Sequence, residues 1–229
     1  CRSKDPSVCE LYIVEGDSAM SSCKTARNSE FQAIMPVRGK TFNCLKANSL
    51  EKILQSDIIT DLLKVIGCGV ELKGKGAAKF ASFDMKLLRW NKIIICTDAD
   101  EDGYHIRTLI LTLFYTLLPT LIKEGKIYIA ETPLFEIVSK EKSYFAYTEA
   151  EKVKIIEKLG TAKYTIHRSK GLGENNADMM SLTTMAPATR RLVRIVPSGD
   201  ELHTDFLFNA LLGNDIEARK TYISENGAK

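Results

Sequence analysis

The chain has 229 residues, 45% of them hydrophobic and 27% charged, with a formal net charge of +3. That length and balance suit a soluble globular protein, either one large domain or a domain with an appendage. They exclude a membrane span, since no apolar run approaches the roughly 20 residues required, and so small a charge does not by itself argue for nucleic acid. The opening, Cys1-Arg2-Ser3-Lys4-Asp5-Pro6, has no initiator Met and no signal-peptide pattern, and is read as the start of a piece of a longer protein. The six cysteines contain no Cys-x-x-Cys pair, which predicts reduced core thiols of a cytoplasmic protein rather than a disulfide frame or a zinc site.

Taken in order, Glu10 to Val14 reads as a first strand that ends on the acid Glu15. Gly16 allows a tight turn, and Asp17 or Ser18 caps a helix running to about Arg27. Gln32 to Val37 is a second strand, opening into the basic Arg38-Gly39-Lys40. Lys24, Arg27, Arg38, Lys40 and Lys46 crowd this region; a solvated face is the ordinary reading, but beside metal-holding carboxylates they suit phosphate. Leu50 to Ile66 carries apolar residues at helical spacing, broken near Ser56-Asp57 and ended by Gly67. Lys73-Gly74-Lys75-Gly76 predicts a flexible basic loop. No Gly-x-x-x-x-Gly-Lys-Ser/Thr exists anywhere, so no nucleotide site is assigned. Asp84 to Trp90 predicts a short helix.

Ile93-Ile94-Ile95-Cys96 is short, β-branched and apolar, the pattern of a buried and parallel strand. Asp98, Asp100 and Asp102 follow at every second position, then Gly103. In extended backbone, side chains two apart share a face, so the strand end is expected to present three carboxylates on one side. Such crowding repels unless a cation or protons intervene. Hard oxygen donors suit Mg²⁺ or Mn²⁺ rather than zinc. An idle acidic turn is the bland alternative. A calcium loop of the EF-hand kind fails, because its twelfth position is Leu109, where a bidentate Glu is needed. If the first and acidic strands are neighbours, Glu15 and Asp98 can share one cation.

Tyr104 to Leu118 predicts a strongly apolar helix with His105 and Arg107 in its first turn, next to the carboxylates. A second helix restarts at Pro119, and Lys126 to Glu131 is a strand. Phe135 to Val138 and Tyr144 to Tyr147 predict a hairpin about Lys140-Glu141-Lys142, and Glu149 to Leu159 a helix. His167 to Glu174 reads as a basic loop whose Gly171 and Gly173 let the backbone pass close to a ligand or another segment. Helices are expected over Asp178 to Met185, Asp200 to Leu212 and Asp215 to Glu225.

Four stretches together resemble the toprim region of bacterial type IIA topoisomerases, found in the B subunit of DNA gyrase or of topoisomerase IV. They are Glu15-Gly16-Asp17-Ser18-Ala19, Pro36-Val37-Arg38-Gly39-Lys40, Thr97-Asp98-Ala99-Asp100 through Asp102-Gly103 to His105-Ile106, and Lys170-Gly171-Leu172-Gly173-Glu174. The resemblance implies an α/β fold: a toprim parallel sheet flanked by helices, with a mostly helical C-terminal tail. It divides the chain into a metal-binding toprim domain, 1–135, and a hairpin and helical tail, 136–229, that contacts the A subunit. It implies DNA cleavage and religation with the A subunit's tyrosine in an A2B2 heterotetramer. Glu15, Asp98 and Asp100 are then catalytic, and with Asp102 they hold Mg²⁺, for which Mn²⁺ or Ca²⁺ can stand in. Arg38, Lys40, His105, Arg107 and Lys170 contact double-stranded DNA, and Asp17 and Arg38 border a drug pocket. ATP belongs to the N-terminal half of such a protein, no membrane is involved, and the setting is cytoplasmic. The B subunit of topoisomerase IV, or a stand-alone toprim nuclease or primase-like enzyme, is the alternative. Met20-Ser21-Ser22, Tyr104 and Ser169 depart from the usual pattern.

Overall fold

The computed structural model describes residues 1–47, 49–71, 82–140, 142–169 and 171–227. The Lys73 to Gly76 loop lies outside them. Backbone contacts divide the chain into two units. One comprises Cys1–Lys40, Trp90–Arg107 and Tyr128–Arg194; the other comprises Thr41–Arg89, Thr108–Ile127 and Ile195–Lys229.

The first unit is built on a sheet in the order β2 (Gln32–Val37), β1 (Glu10–Glu15), β3 (Lys92–Cys96), β4 (Ile127–Glu131) and β8 (Arg191–Arg194). β1 runs parallel to both β2 and β3, and Val14 lies opposite Cys96. Because all three stop in step, Glu15 and the segment after Cys96 emerge side by side. Pro36, which cannot donate to a ladder, sits in the edge strand β2, where that loss is tolerated. β8 pairs antiparallel with β4 and closes the edge of the sheet opposite β2.

Period-two alternation sets the packing. Tyr12, Val14, Ile94 and Cys96 point to one face and pack on Ala19 and Cys23 of α1 (Gly16–Ala26), with Leu172, Met180 and Met185. Leu11, Ile13, Ile93 and Ile95 alternate with them and are as fully buried. The remaining strands of this unit form a second sheet, with β5 (Phe135–Ser139) between β6 (Lys142–Ala146) and β7 (Thr165–Arg168). The predicted hairpin is present, with Phe135 opposite Ala146. The helix α6 (Glu149–Leu159) supplies Ile155 and Leu159 to its small core.

The second unit holds α2 (Leu50–Ile53), α3 (Asp57–Ile66), α5 (Pro119–Lys123), α8 (Glu201–Leu212) and α9 (Ile216–Asn226). α4 (Glu101–Leu117) crosses the division, and α7 (Ala177–Met180) belongs to the first unit. Several sequence expectations are corrected. Asp84 to Trp90 is only a 3₁₀ turn over Met85–Leu87, capped by Asp84. The helix expected over Asp178 to Met185 is α7 followed by a π turn. The basic stretch from His167 is not all loop, because β7 runs to Arg168 and pairs with β5. Its residues are exposed on both faces, which hid the alternation. The five buried cysteines and the exposed Cys1 are all free thiols.

A buried charge network ties β8's approach to the start of β1. Arg190 donates to both oxygens of Glu10 at 2.5 Å and to Tyr12 Oη at 2.9 Å. Gln32 donates to Glu10 at 3.0 Å and to the Met185 carbonyl at 2.8 Å. Burial pushes the Glu10 carboxyl up, but the bonds from Arg190 and Gln32 outweigh it and hold the group below its ordinary value. A depressed carboxyl stabilises the fold above its ordinary pKa and loses that contribution as pH falls through the folded value. Arg190→Met removes the bidentate partner of Glu10 and leaves the buried carboxylate with only Gln32 and the 3.3 Å contact from Lys92, at an expected cost of up to about 3–5 kcal/mol at neutral pH. Urea unfolding at pH 7 and again near pH 4.5 should show that deficit shrink in acid, as protonation relieves the stranded charge. A deficit that is small or constant with pH contradicts this account.

Candidate metal centre

The site lies where β1 and β3 end, within the first unit. Glu15 closes β1, and its Oε2 accepts a hydrogen bond from the Asp98 backbone N–H at 3.2 Å. β1 and β3 are paired neighbours, which fulfils the condition for Glu15 and Asp98 to stand together. Asp98 is clasped from the other side as well, because its Oδ1 accepts from the Leu172 N–H at 2.8 Å. Gly171 suits this close approach, since a Cβ there would stand 2.8 Å from Asp98 Oδ2 and the carboxylate would have to shift. Gly173 similarly abuts α1, with a virtual Cβ 2.6 Å from Ser18 Cβ. The two glycines therefore serve close approach to other chain segments.

The three aspartates do not lie along one extended face as the alternation predicted. β3 stops at Cys96, and α4 begins at Glu101, three residues earlier than the apolar pattern suggested. Asp100 is the cap that starts it, since its Oδ1 accepts from the Gly103 N–H at 2.7 Å. Gly103 is pressed against the Asp98 carbonyl, which a Cβ would approach to 2.1 Å. Asp102 is carried into the first helical turn, where it pairs with Lys40 at 2.9 Å. The apolar periodicity begins after these residues, so it could not mark the true helix start.

The electrostatics fit a cation. Burial raises the Glu15 carboxyl, opposed by the bond from Asp98 N–H, and the charges of Asp98, Asp100 and Asp102 raise it further. Burial also raises Asp98, whose bond from Leu172 is outweighed with the help of Asp100 and Glu174. Asp102 goes the other way, held low by Lys40. Glu174 is a further acid of the cluster that the sequence placed in the glycine motif without assigning it to the site. These are hard oxygen donors that repel one another, the chemistry a divalent cation relieves. Among the described residues no three such side chains already converge as a closed ligand set.

The basic residues divide. Arg38 is engaged by Asp17 through a guanidinium fork, with Nε to Oδ2 at 3.0 Å. Lys40 is on Asp102. His105 is exposed in the first turn of α4. The Arg107 guanidinium lies 5.1 Å from the Tyr104 ring centre. Lys170 lies outside the described residues.

A carboxyl whose folded pKa is raised costs stability wherever it is ionised, and the cost fades as pH falls through the folded value. Glu15→Gln is therefore expected to raise the melting temperature of the metal-free protein at pH 7.5, by about 1–3 °C for a screened, half-buried group. The gain should vanish near pH 4; a fall in melting temperature at pH 7.5 contradicts it. For Asp100, loss of the cap costs about 1 kcal/mol. Asp100→Ala should lose that much in urea unfolding, whereas Asp100→Ser keeps it; equal losses contradict the capping role.

The family model described as the Toprim domain matches residues 10–132. The model described as DNA gyrase B subunit, carboxyl terminus, matches residues 161–224. Over 231 residues the chain is 43% identical to a protein of Clostridium acetobutylicum that bears the name of the DNA gyrase B subunit, covering all of this chain and 34% of that one. Proteins of the same name from Thermotoga maritima and Archaeoglobus fulgidus are 42% and 43% identical, over 100% and 97% of this chain and 34% and 33% of theirs. The chain thus spans about a third of the length of the curated relatives it matches. With the first model covering more than half of its residues, and the second following in the order found here, this chain belongs to the Toprim domain family, in the form that continues into the carboxyl terminus of DNA gyrase B.

Proposed function

We propose that this chain is the DNA-cleaving and religating module of an ATP-dependent type IIA topoisomerase, gyrase B-like, working with a tyrosine of the A subunit. The observation that carries the reading is the pairing of Glu15 with Asp98 across neighbouring parallel strands, with Asp100 and Asp102 beside them. Glu15 and Asp98 would hold a divalent cation, Mg²⁺ in the cell, with Mn²⁺ or Ca²⁺ able to replace it. Asp98 and Asp100, with Asp102, would hold a second. A cation so held supplies neutralisation of charge developing on the scissile phosphate and the leaving oxygen.

The chain's own residues do the positioning. The Asp98 N–H and Leu172 N–H fix one oxygen of Glu15 and one of Asp98, leaving each a second oxygen for a ligand. Arg38, Lys40, His105, Arg107 and Lys170 lie in or next to the motifs around the acids and suit contacts with the phosphates of double-stranded DNA. Asp17 and Arg38, already paired, suit the rim of a drug pocket. In this reading residues 1–135 are the metal-binding domain and 136–229 a tail whose Leu172 and Glu174 lie against Asp98 of the site.

Docking of the A subunit, in an A2B2 assembly, has support in the apolar side chains that α8 and α9 leave in solvent. Leu202 is 84% exposed, and Phe206, Ile216 and Ile223 are more than half exposed. Burying such residues is what an obligate interface requires. ATP hydrolysis is assigned to an N-terminal half of the full-length protein. Among the described residues no helix is long and apolar enough to cross a membrane, and the cytoplasmic setting belongs to the proposal. The gyrase B carboxyl-terminal match supports this reading over a stand-alone nuclease or primase, and the names of the relatives support gyrase over topoisomerase IV.

The test is plasmid cleavage by the full-length protein with its A subunit and Mg²⁺. Glu15→Ala and Asp98→Ala should each reduce trapped double-strand breaks by at least about a hundredfold, on the scale of losing one transition-state contact, while the complex still assembles. Breaks at the wild-type level from either variant overturn that residue's role. Cutting without the A subunit would favour the stand-alone nuclease.

A further inference from the structure

Two exposed ion pairs hold the loop after β2 across the metal centre. Gly39, with φ +69°, turns the chain between Arg38 and Lys40, and the two cations reach different helices. Arg38 goes to Asp17 on α1, and Lys40 goes to Asp102 on α4. The contacts are unequal. The guanidinium fork makes three N–H to oxygen contacts with Asp17, at 3.0 to 3.3 Å. Lys40 makes one ion-pair contact, 2.9 Å, with both side chains more than half exposed. A compact ammonium on a flexible stem, held once and in solvent, is easily released.

Lys40 also stands against a set of acids with an electrostatic deficit. Asp98, Asp100 and Asp102 press on Glu15, and Asp100 and Glu174 press on Asp98, while Asp102 is the member already compensated, by Lys40. An ammonium occupying a carboxylate that a divalent cation would also use is a competitor for it. A doubly charged ion that gathers several of these oxygens at once has the advantage over a single surface ion pair.

We infer that Lys40 is an internal counter-ion of the metal centre: it neutralises Asp102 while no divalent cation is bound, and divalent cation and Lys40 compete for that carboxylate. The inference rests on the reading of the acids as a metal site. Release of Lys40 leaves it free for the phosphate contact assigned to it above, so Lys40 would be a positioning residue that links metal occupancy to the shape of the basic loop.

The test is Mn²⁺ titration of the full-length protein without nucleotide or DNA, read from the free-ion paramagnetic resonance signal. Lys40→Met should tighten the weaker class of bound Mn²⁺ by about two- to fivefold, the range of an exposed ion pair. Lys40→Arg, which keeps the pair, should stay within about 1.5-fold of wild type. In an Asp102→Asn background, Lys40→Met should lose its effect. Unchanged or weaker binding in Lys40→Met overturns the inference. Equal tightening with and without Asp102 also overturns it, since that would be long-range charge alone. Glu15→Gln separates the two levels. If the wild type binds no Mn²⁺ that Glu15→Gln removes, the metal centre itself fails and the counter-ion fails with it. If Glu15→Gln removes Mn²⁺ but Lys40→Met changes nothing, the counter-ion alone fails.

Discussion

The structure around the site depends on how tightly the backbone folds about Asp98. Its N–H is given to Glu15, its Oδ1 takes the Leu172 N–H, and its carbonyl is pressed by Gly103. Two distant parts of the sequence, the end of β1 and the glycine motif near residue 172, are pinned to one residue together with the adjoining first turn of α4. A side chain at 103 or 171 would collide with Asp98. In an ordinary helix interior, Gly→Ala is favourable by roughly 1 kcal/mol; here a Cβ 2.1 Å from a backbone oxygen decides the sign the other way.

That clasp gathers like charges where the fold gains nothing from them. Glu15 and Asp98 are both raised, burial being the largest cause for each. A site that is electrostatically costly in the metal-free state is the usual mark of function held at the expense of stability. The cost is offset elsewhere: Glu10, at the opposite end of β1, is fully compensated by Arg190, Gln32 and Lys92. Among the described residues the same strand thus carries an acid paired with cations at its start and an acid held by one backbone N–H, beside other acids, at its end.

Much of this was legible in the sequence, for identifiable reasons. The apolar strands, the break at Ser56-Asp57 and the hairpin follow from periodicity, and the helices from Glu149 and Asp200 from periodicity with the caps Thr148 and Asp200, all of which act locally; Ser56 makes no side-chain cap bond. The proximity of Glu15 and Asp98 followed from two acids each ending an apolar strand. The extended reading of Asp98, Asp100 and Asp102 failed because alternation of acids suits a strand equally well as a cap followed by a helical turn, and only the Asp100 to Gly103 bond distinguishes them. Glu174 and the Lys40 to Asp102 pair depend on tertiary placement, which no spacing encodes. β7 was missed because all its residues are exposed.

The reading of Glu15 and Asp98 as ligands of one divalent cation is tested most directly by anomalous scattering from crystals of the protein soaked in Mn²⁺. The expected result is a peak within about 2.0–2.6 Å of carboxylate oxygens from both residues, absent in Glu15→Gln crystals. A peak elsewhere at full occupancy, or one unmoved by Glu15→Gln, contradicts that reading.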